Sequence, residues 1–139
     1  MTPPSSKLQG VGSSHGSGEA LQAAEALARS SGAVVAVSGA VDFITDGEQV
    51  ISVRNGVAMM QKITAAGCAV TALIAAFVRV YPSDALAAAA CALVIFRLAG
   101  ETGMESAKGP ASLRMHLIDT LYGLGEQTVT SGVKFSLVL

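Results

Sequence analysis

Apolar positions recur in helical or strand periods along most of the chain, and turn residues divide them into short elements. From Gly18 the run EALQAAEALARSS sets Leu21, Ala24 and Leu27 or Ala28 on one face, which predicts a helix ended by Gly32. Residues 33–37, AVVAV, form a continuous β-branched run of the kind buried on both faces in a parallel sheet, closed by Ser38 and Gly39. In DFITDGEQVISV two alternating stretches flank Asp46 and Gly47, predicting a hairpin with strands near 42–45 and 49–53. Past Asn55 and Gly56 the chain runs through MMQKIT to a helix expected from Gly67 to about Val80, where Tyr81 and Pro82 stop it. Ser83 or Asp84 suits the cap of a further helix, apolar on almost every side as far as Ala99 or beyond and therefore expected inside the fold. Gly109 and Pro110 open a last helix, amphipathic through Leu113, Leu117, Ile118 and Leu121. Residues 1–17, rich in Pro, Gly and Ser without apolar period, read as a disordered or truncated lead, and residues 125–139 as a weakly determined tail.

Composition narrows this picture. The 139 residues are 51% hydrophobic but only 4% aromatic, with no Trp, so small side chains would hold helices close against a sheet in one ordinary domain. Nine basic against ten acidic residues leave a net charge of -1, which offers no cationic stripe to nucleic acid. The apolar segments 65–78 and 85–96 are shorter than the roughly 20 residues that span a bilayer, so they are expected as buried helices rather than membrane spans. Cys68 and Cys91 stand in alanine-rich runs without CxxC or Cys/His spacing and follow no secretory signal, as expected of a reduced cytoplasmic chain. Cys91, mid-helix, is expected in the core. His15 and His116 lie far apart with no third ligand implied, so no metal-ligating residue is assigned.

The stretch with the most chemistry is Thr64-Ala65-Ala66-Gly67-Cys68, directly before a strong helix. First-turn N–H groups lack an internal acceptor and sit at the positive end of the helix dipole, so small residues there let an anion approach. Gly67 and Cys68 would supply such donors, although small residues before a helix also serve packing. A helix N-terminus favours a thiolate at Cys68, and an inert buried cysteine is the other reading. Neither a Walker-A lysine nor GxGxxG is present.

Asn55-Gly56, followed by Met59-Met60-Gln61-Lys62-Ile63-Thr64-Ala65-Ala66-Gly67-Cys68, resembles the signature loop of hydroxyethylthiazole kinases. The likeness extends upstream through GAVVAVSGAVDFITDGEQVISVRNG and downstream through LAGE, SAKGP and SLRMHLIDTLYGL, from about residue 10 to 124. It implies an α/β fold: the C-terminal half of a ribokinase-like sandwich, with a central sheet, a β-hairpin and flanking helices, residues 18–124 forming that portion. It implies transfer of the γ-phosphoryl group of ATP, with Mg2+, to the primary alcohol of 4-methyl-5-(2-hydroxyethyl)thiazole in thiamine biosynthesis, by a homotrimer when the other half is present. By resemblance Gly67 and Cys68 line an anion hole and Cys68 is the catalytic residue. Ser38 falls at the ATP-binding position, and Ala65 at the substrate-binding position. The chain departs from the family at Val57 and Ala58, where His-Pro is usual, at Ala66, where a hydroxyl is usual, and at Gly12 and Ala111. Arg97 replaces a Gly near the expected adenine pocket, where an arginine would block or reorient the base. The family's N-terminal half has no counterpart in this sequence. The alternative implied is a catalytically inactive remnant that binds nucleotide or docks onto a relative.

Overall fold

A computed structural model of the chain describes residues 17–138, so the N-terminal lead with Gly12 and His15 lies outside the described residues. Helix α1 (Ser17–Ser31) is followed by β1 (Val35–Val37), β2 (Asp42–Thr45) and β3 (Val50–Val53). A 3-10 turn over Ala58–Lys62 then leads into α2 (Ala66–Val80), α3 (Ala85–Met104), α4 (Pro110–Gly123), α5 (Glu126–Gly132) and β4 (Phe135–Val138). The strands lie in the order β1-β2-β3-β4, each antiparallel to its neighbour.

The hairpin forms where its turn chemistry places it, with Asp42 opposite Val53 and Thr45 opposite Val50. Gly47 takes φ 95, and the Asp46 carboxylate accepts the N–H groups of Glu48 (2.9 Å) and Gln49 (2.7 Å). Those donors favour the charged carboxylate and hold Asp46 below its usual 3.8. The stability this contributes is present above that usual value and is lost as pH falls through the lower folded value. Urea unfolding of the parent and of Asp46→Asn is expected to show a gap at about pH 6 that closes towards about pH 2.

Helix α3 is the centre of the fold. Leu86, Ala89, Ala90, Leu93, Val94, Phe96 and Ala99 pack into one cluster with Ile44 and Val53 of the sheet, Val70 of α2, and Leu113 and Leu117 of α4. Asp84 is its cap, accepting the Ala87 N–H at 2.9 Å. The helix runs five residues past Ala99 and reaches 20 residues, long and apolar enough to cross a membrane, contrary to the shorter segment read from sequence. However, 61% of its most apolar window is buried inside the fold, as in a core helix. On α1, Ala24 and Ala28 form the buried stripe and Leu27 is exposed; on α4, Leu113 and Leu117 are buried and Ile118 is exposed.

Three expectations are corrected. AVVAV does not form an internal parallel strand: among the described strands β1 lies at the sheet edge and pairs only with β2, antiparallel, and Ala36 is exposed on its face of the sheet. The alanine-rich helix α2 is not buried, since Val70 alone is enclosed and Val80 is 84% exposed. Its apolar residues outnumber the neighbours available to cover them. Finally, Cys91 is exposed rather than core, because it lies on the side of α3 turned to an open apolar groove with Ile51, Val133 and Phe135.

Candidate phosphate-binding site

Helix α2 begins abruptly. Ala65, its N-cap, takes the left-handed conformation (φ 66, ψ 14) and has no side chain to cap the first turn. A non-glycine residue there stores about 1–2 kcal/mol of local strain. Ala66 N–H reaches the Ile63 carbonyl (3.3 Å), and the first helical bond runs from Ala69 N–H to the Ala65 carbonyl (3.0 Å). The N–H groups of Gly67 and Cys68 fall between these and bond no carbonyl one turn upstream. Both residues are exposed. A Cβ added at Gly67 would meet nothing within 4 Å, so packing within the described chain does not demand the glycine. Two adjacent donors at the positive end of a helix dipole, in open space, can bind an anionic oxygen. Ala65, Gly67 and Cys68 are thus brought together. Cys68 is exposed, which removes the buried-cysteine reading within this chain.

The loop is placed by α3. Arg97, Gly100 and Glu101 lie on one face of that helix, three and four residues apart. Met60, buried in the 3-10 turn, fills the space over Gly100, where an added Cβ would collide with its sulfur. Gly100→Ala is therefore expected to cost about 1–3 kcal/mol in urea unfolding, and a smaller residue at Met60 to restore part of it. Glu101 accepts the Gly56 N–H (2.8 Å) and the Asn55 side-chain amide (3.2 Å). Asn55, 2% exposed, also donates to the Gly132 carbonyl (2.8 Å) and accepts the Lys134 N–H (2.8 Å). That one amide ties the end of the hairpin to α3 and to the α5–β4 connection.

Ser38 is exposed at the end of β1. Two apolar grooves flanking α5, of about 440 and 210 Å3, include none of Ser38, Ala65, Gly67 and Cys68. Arg97 is engaged within the fold. Its Nε and Nη2 grip both carboxylate oxygens of Asp42, the Nε bond at 2.6 Å, and Nη2 also donates to the Gly39 carbonyl (3.0 Å). The Asp42 side chain is fully enclosed, and a buried carboxylate needs such a partner. Sequence reasoning missed Asp42 and Glu101. The available signal was the pair of charges Arg97 and Glu101 in an otherwise uncharged 20-residue helix.

Comparison with known proteins follows the same outline. Residues 3–127 match the model of the hydroxyethylthiazole kinase family. A hydroxyethylthiazole kinase of Zea mays is 74% identical over 98% of the chain and 49% of its own length. One from Arabidopsis thaliana is 58% identical over 91% of the chain and 46% of its own length. The structure of a hydroxyethylthiazole kinase protein from Pyrococcus horikoshii OT3 superposes with a TM-score of 0.82 at 38% identity, covering 88% of this chain and 47% of that one. The chain spans about half the length of the curated relatives it matches.

Proposed function

This chain belongs to the hydroxyethylthiazole kinase family, and from that premise we propose that it carries the phosphate-binding half of an ATP-dependent kinase acting on 4-methyl-5-(2-hydroxyethyl)thiazole in thiamine biosynthesis. The observation that carries the proposal is the pair of open N–H donors at Gly67 and Cys68. In the reaction the primary alcohol oxygen attacks the γ-phosphorus of ATP, the bond from that phosphorus to the β–γ bridging oxygen breaks, and ADP leaves. Phosphoryl transfer rests on positioning and charge stabilisation, which fixed donors supply at the transferring oxygens. Cys68 takes the hydroxyl proton, Ser38 donates to the nucleotide phosphates, and the Ala65 backbone meets the thiazole alcohol. Left-handed Ala65 turns the chain sharply at that point, which suits a close backbone approach.

Magnesium is the family's expected counter-ion, but the described residues hold no group of three or more His, Cys, Asp or Glu placed to bind a metal ion. No step here runs through it. Its ligands, most of the thiazole pocket and the trimer contacts belong, in this reading, to residues beyond those described, and the setting is the cytoplasm. A second reading, docking onto a separate relative or upstream half, is favoured by the thinly covered α2 and the open edge of β1.

The test is phosphorylation of the thiazole alcohol by two proteins, the 139-residue chain and a chimera joining it to the upstream half of the maize relative. The chimera is expected to turn over and the chain alone to give a negligible rate. A chimera that folds, binds ATP and never transfers phosphate would favour the docking reading instead.

A further inference from the structure

The geometry points to Arg97 as a positioning residue for nucleotide: it fixes the turn that carries Ser38 and, with the same side chain, the turn that begins the connection to the phosphate loop. The inference rests on the nucleotide-binding reading above. Asp42, at the start of β2, accepts the Gly39 N–H on Oδ1 at 2.9 Å while Arg97 holds both its oxygens. Arg97 Nη2 also donates to the Gly39 carbonyl. Both polar groups of Gly39 are therefore bound to one buried ion pair, whose side chains are 11% and 0% exposed. Ser38 is the residue just before Gly39, exposed, and its backbone direction follows from that anchorage.

The arginine stem reaches the second turn. Gly56 has φ 113, and an added Cβ would lie 2.9 Å from Arg97 Cδ. One turn further along α3, Glu101 holds the Gly56 N–H. From Gly56 the chain passes through Val57 and the 3-10 turn to Ala65 and the donors of Gly67 and Cys68. One arginine thus touches two turns, at Gly39 and Gly56, on either side of the β2–β3 hairpin, and sets the spacing between them. Lysine cannot replace it, because one ammonium lacks the fork that meets two carboxylate oxygens and a carbonyl together.

The test measures ADP binding by calorimetry and amide hydrogen exchange by mass spectrometry on the 139-residue chain and three variants. Arg97→Lys keeps the charge beside Asp42, so the chain retains its pairing, but the Gly39 anchorage loosens. Exchange is expected to accelerate in residues 38–41 and not in α4, and ADP affinity to fall about fivefold to tenfold. Ser38→Ala, which removes the proposed contact directly, is expected to weaken ADP without altering exchange. Leu117→Met, a buried change on α4 that touches neither Arg97 nor its hydrogen-bond partners, is expected to change neither. If Ser38→Ala weakens ADP while Arg97→Lys leaves affinity at the parent value, the positioning role is wrong and the nucleotide reading stands. If the parent chain does not bind ADP, or Ser38→Ala has no effect on it, the nucleotide reading fails and the inference falls with it.

Discussion

In the chimera with the maize upstream half, Cys68→Ala is expected to lower turnover by about 10²- to 10⁴-fold, while Cys68→Asp retains more activity. The N–H donors of Gly67 and Cys68 belong to the backbone and survive either change, so the KM for ATP should stay near the parent value while kcat falls. That split separates loss of a proton acceptor from loss of the anion hole. A carboxylate at this place is both a base and an anion at the positive end of α2, where the helix dipole favours it. The first turn is open enough for it, since Cys68 is exposed and the space over Gly67 is empty within 4 Å. A cysteine that merely packs against the restored half gives the reverse order, because alanine fits an apolar contact and a desolvated aspartate does not. Steady-state kinetics of the two variants decide: alanine equal to the parent, with aspartate inactive, removes Cys68 from the chemistry.

Arg97→Met is expected to cost the chain about 3–5 kcal/mol, a large share of the roughly 5–15 kcal/mol that holds a domain together. The loss does not come from the arginine's packing, since methionine replaces much of the stem. It comes from Asp42, enclosed by the fold and left as an unpaired anion with only the Gly39 N–H for a partner. Adding Asp42→Asn to Arg97→Met should recover most of the stability, because the amide oxygen still accepts that N–H and carries no charge. Urea titrations of the single and double variants measure this. A double variant as unstable as Arg97→Met alone would place the cost in packing instead.

The elements written in local chemistry were legible in the sequence. Asp46 and Gly47 marked the hairpin, Pro82 the end of α2, and Pro110 the first turn of α4, each through a constraint acting within a few residues. The last segment carried no such mark. Strand β4 is held by pairing with β3, the Ser52 and Ser136 hydroxyls meeting at 2.9 Å, and by Asn55 through Gly132 and Lys134, partners more than 70 residues away. The alanine runs misled in a specific way. Apolar periodicity says which residues would tolerate burial, and it put Cys91 and most of α2 inside, but burial also requires something to lie on top.

The candidate site divides along the same line. Gly67 and Cys68 could be placed at a helix N-terminus because that position follows from small residues next to a strong helical run. The left-handed conformation of Ala65 could not, since alanine gives no hint of positive φ. Nor could the destination of Arg97. Its solitude in α3 signalled a partner, but the choice of Asp42, 55 residues earlier, depends on how α3 crosses the sheet.

The central claim is that the first turn of α2 holds the ATP phosphates, and titrating the 15N-labelled chain with Mg-ATP while following its amide resonances tests it most directly. The amides of Gly67 and Cys68 are expected to move furthest and to saturate together, with Ser38 following on the same curve. Resonances of Gly67 and Cys68 that stay fixed, whether the shifts appear elsewhere or nowhere, would contradict the claim.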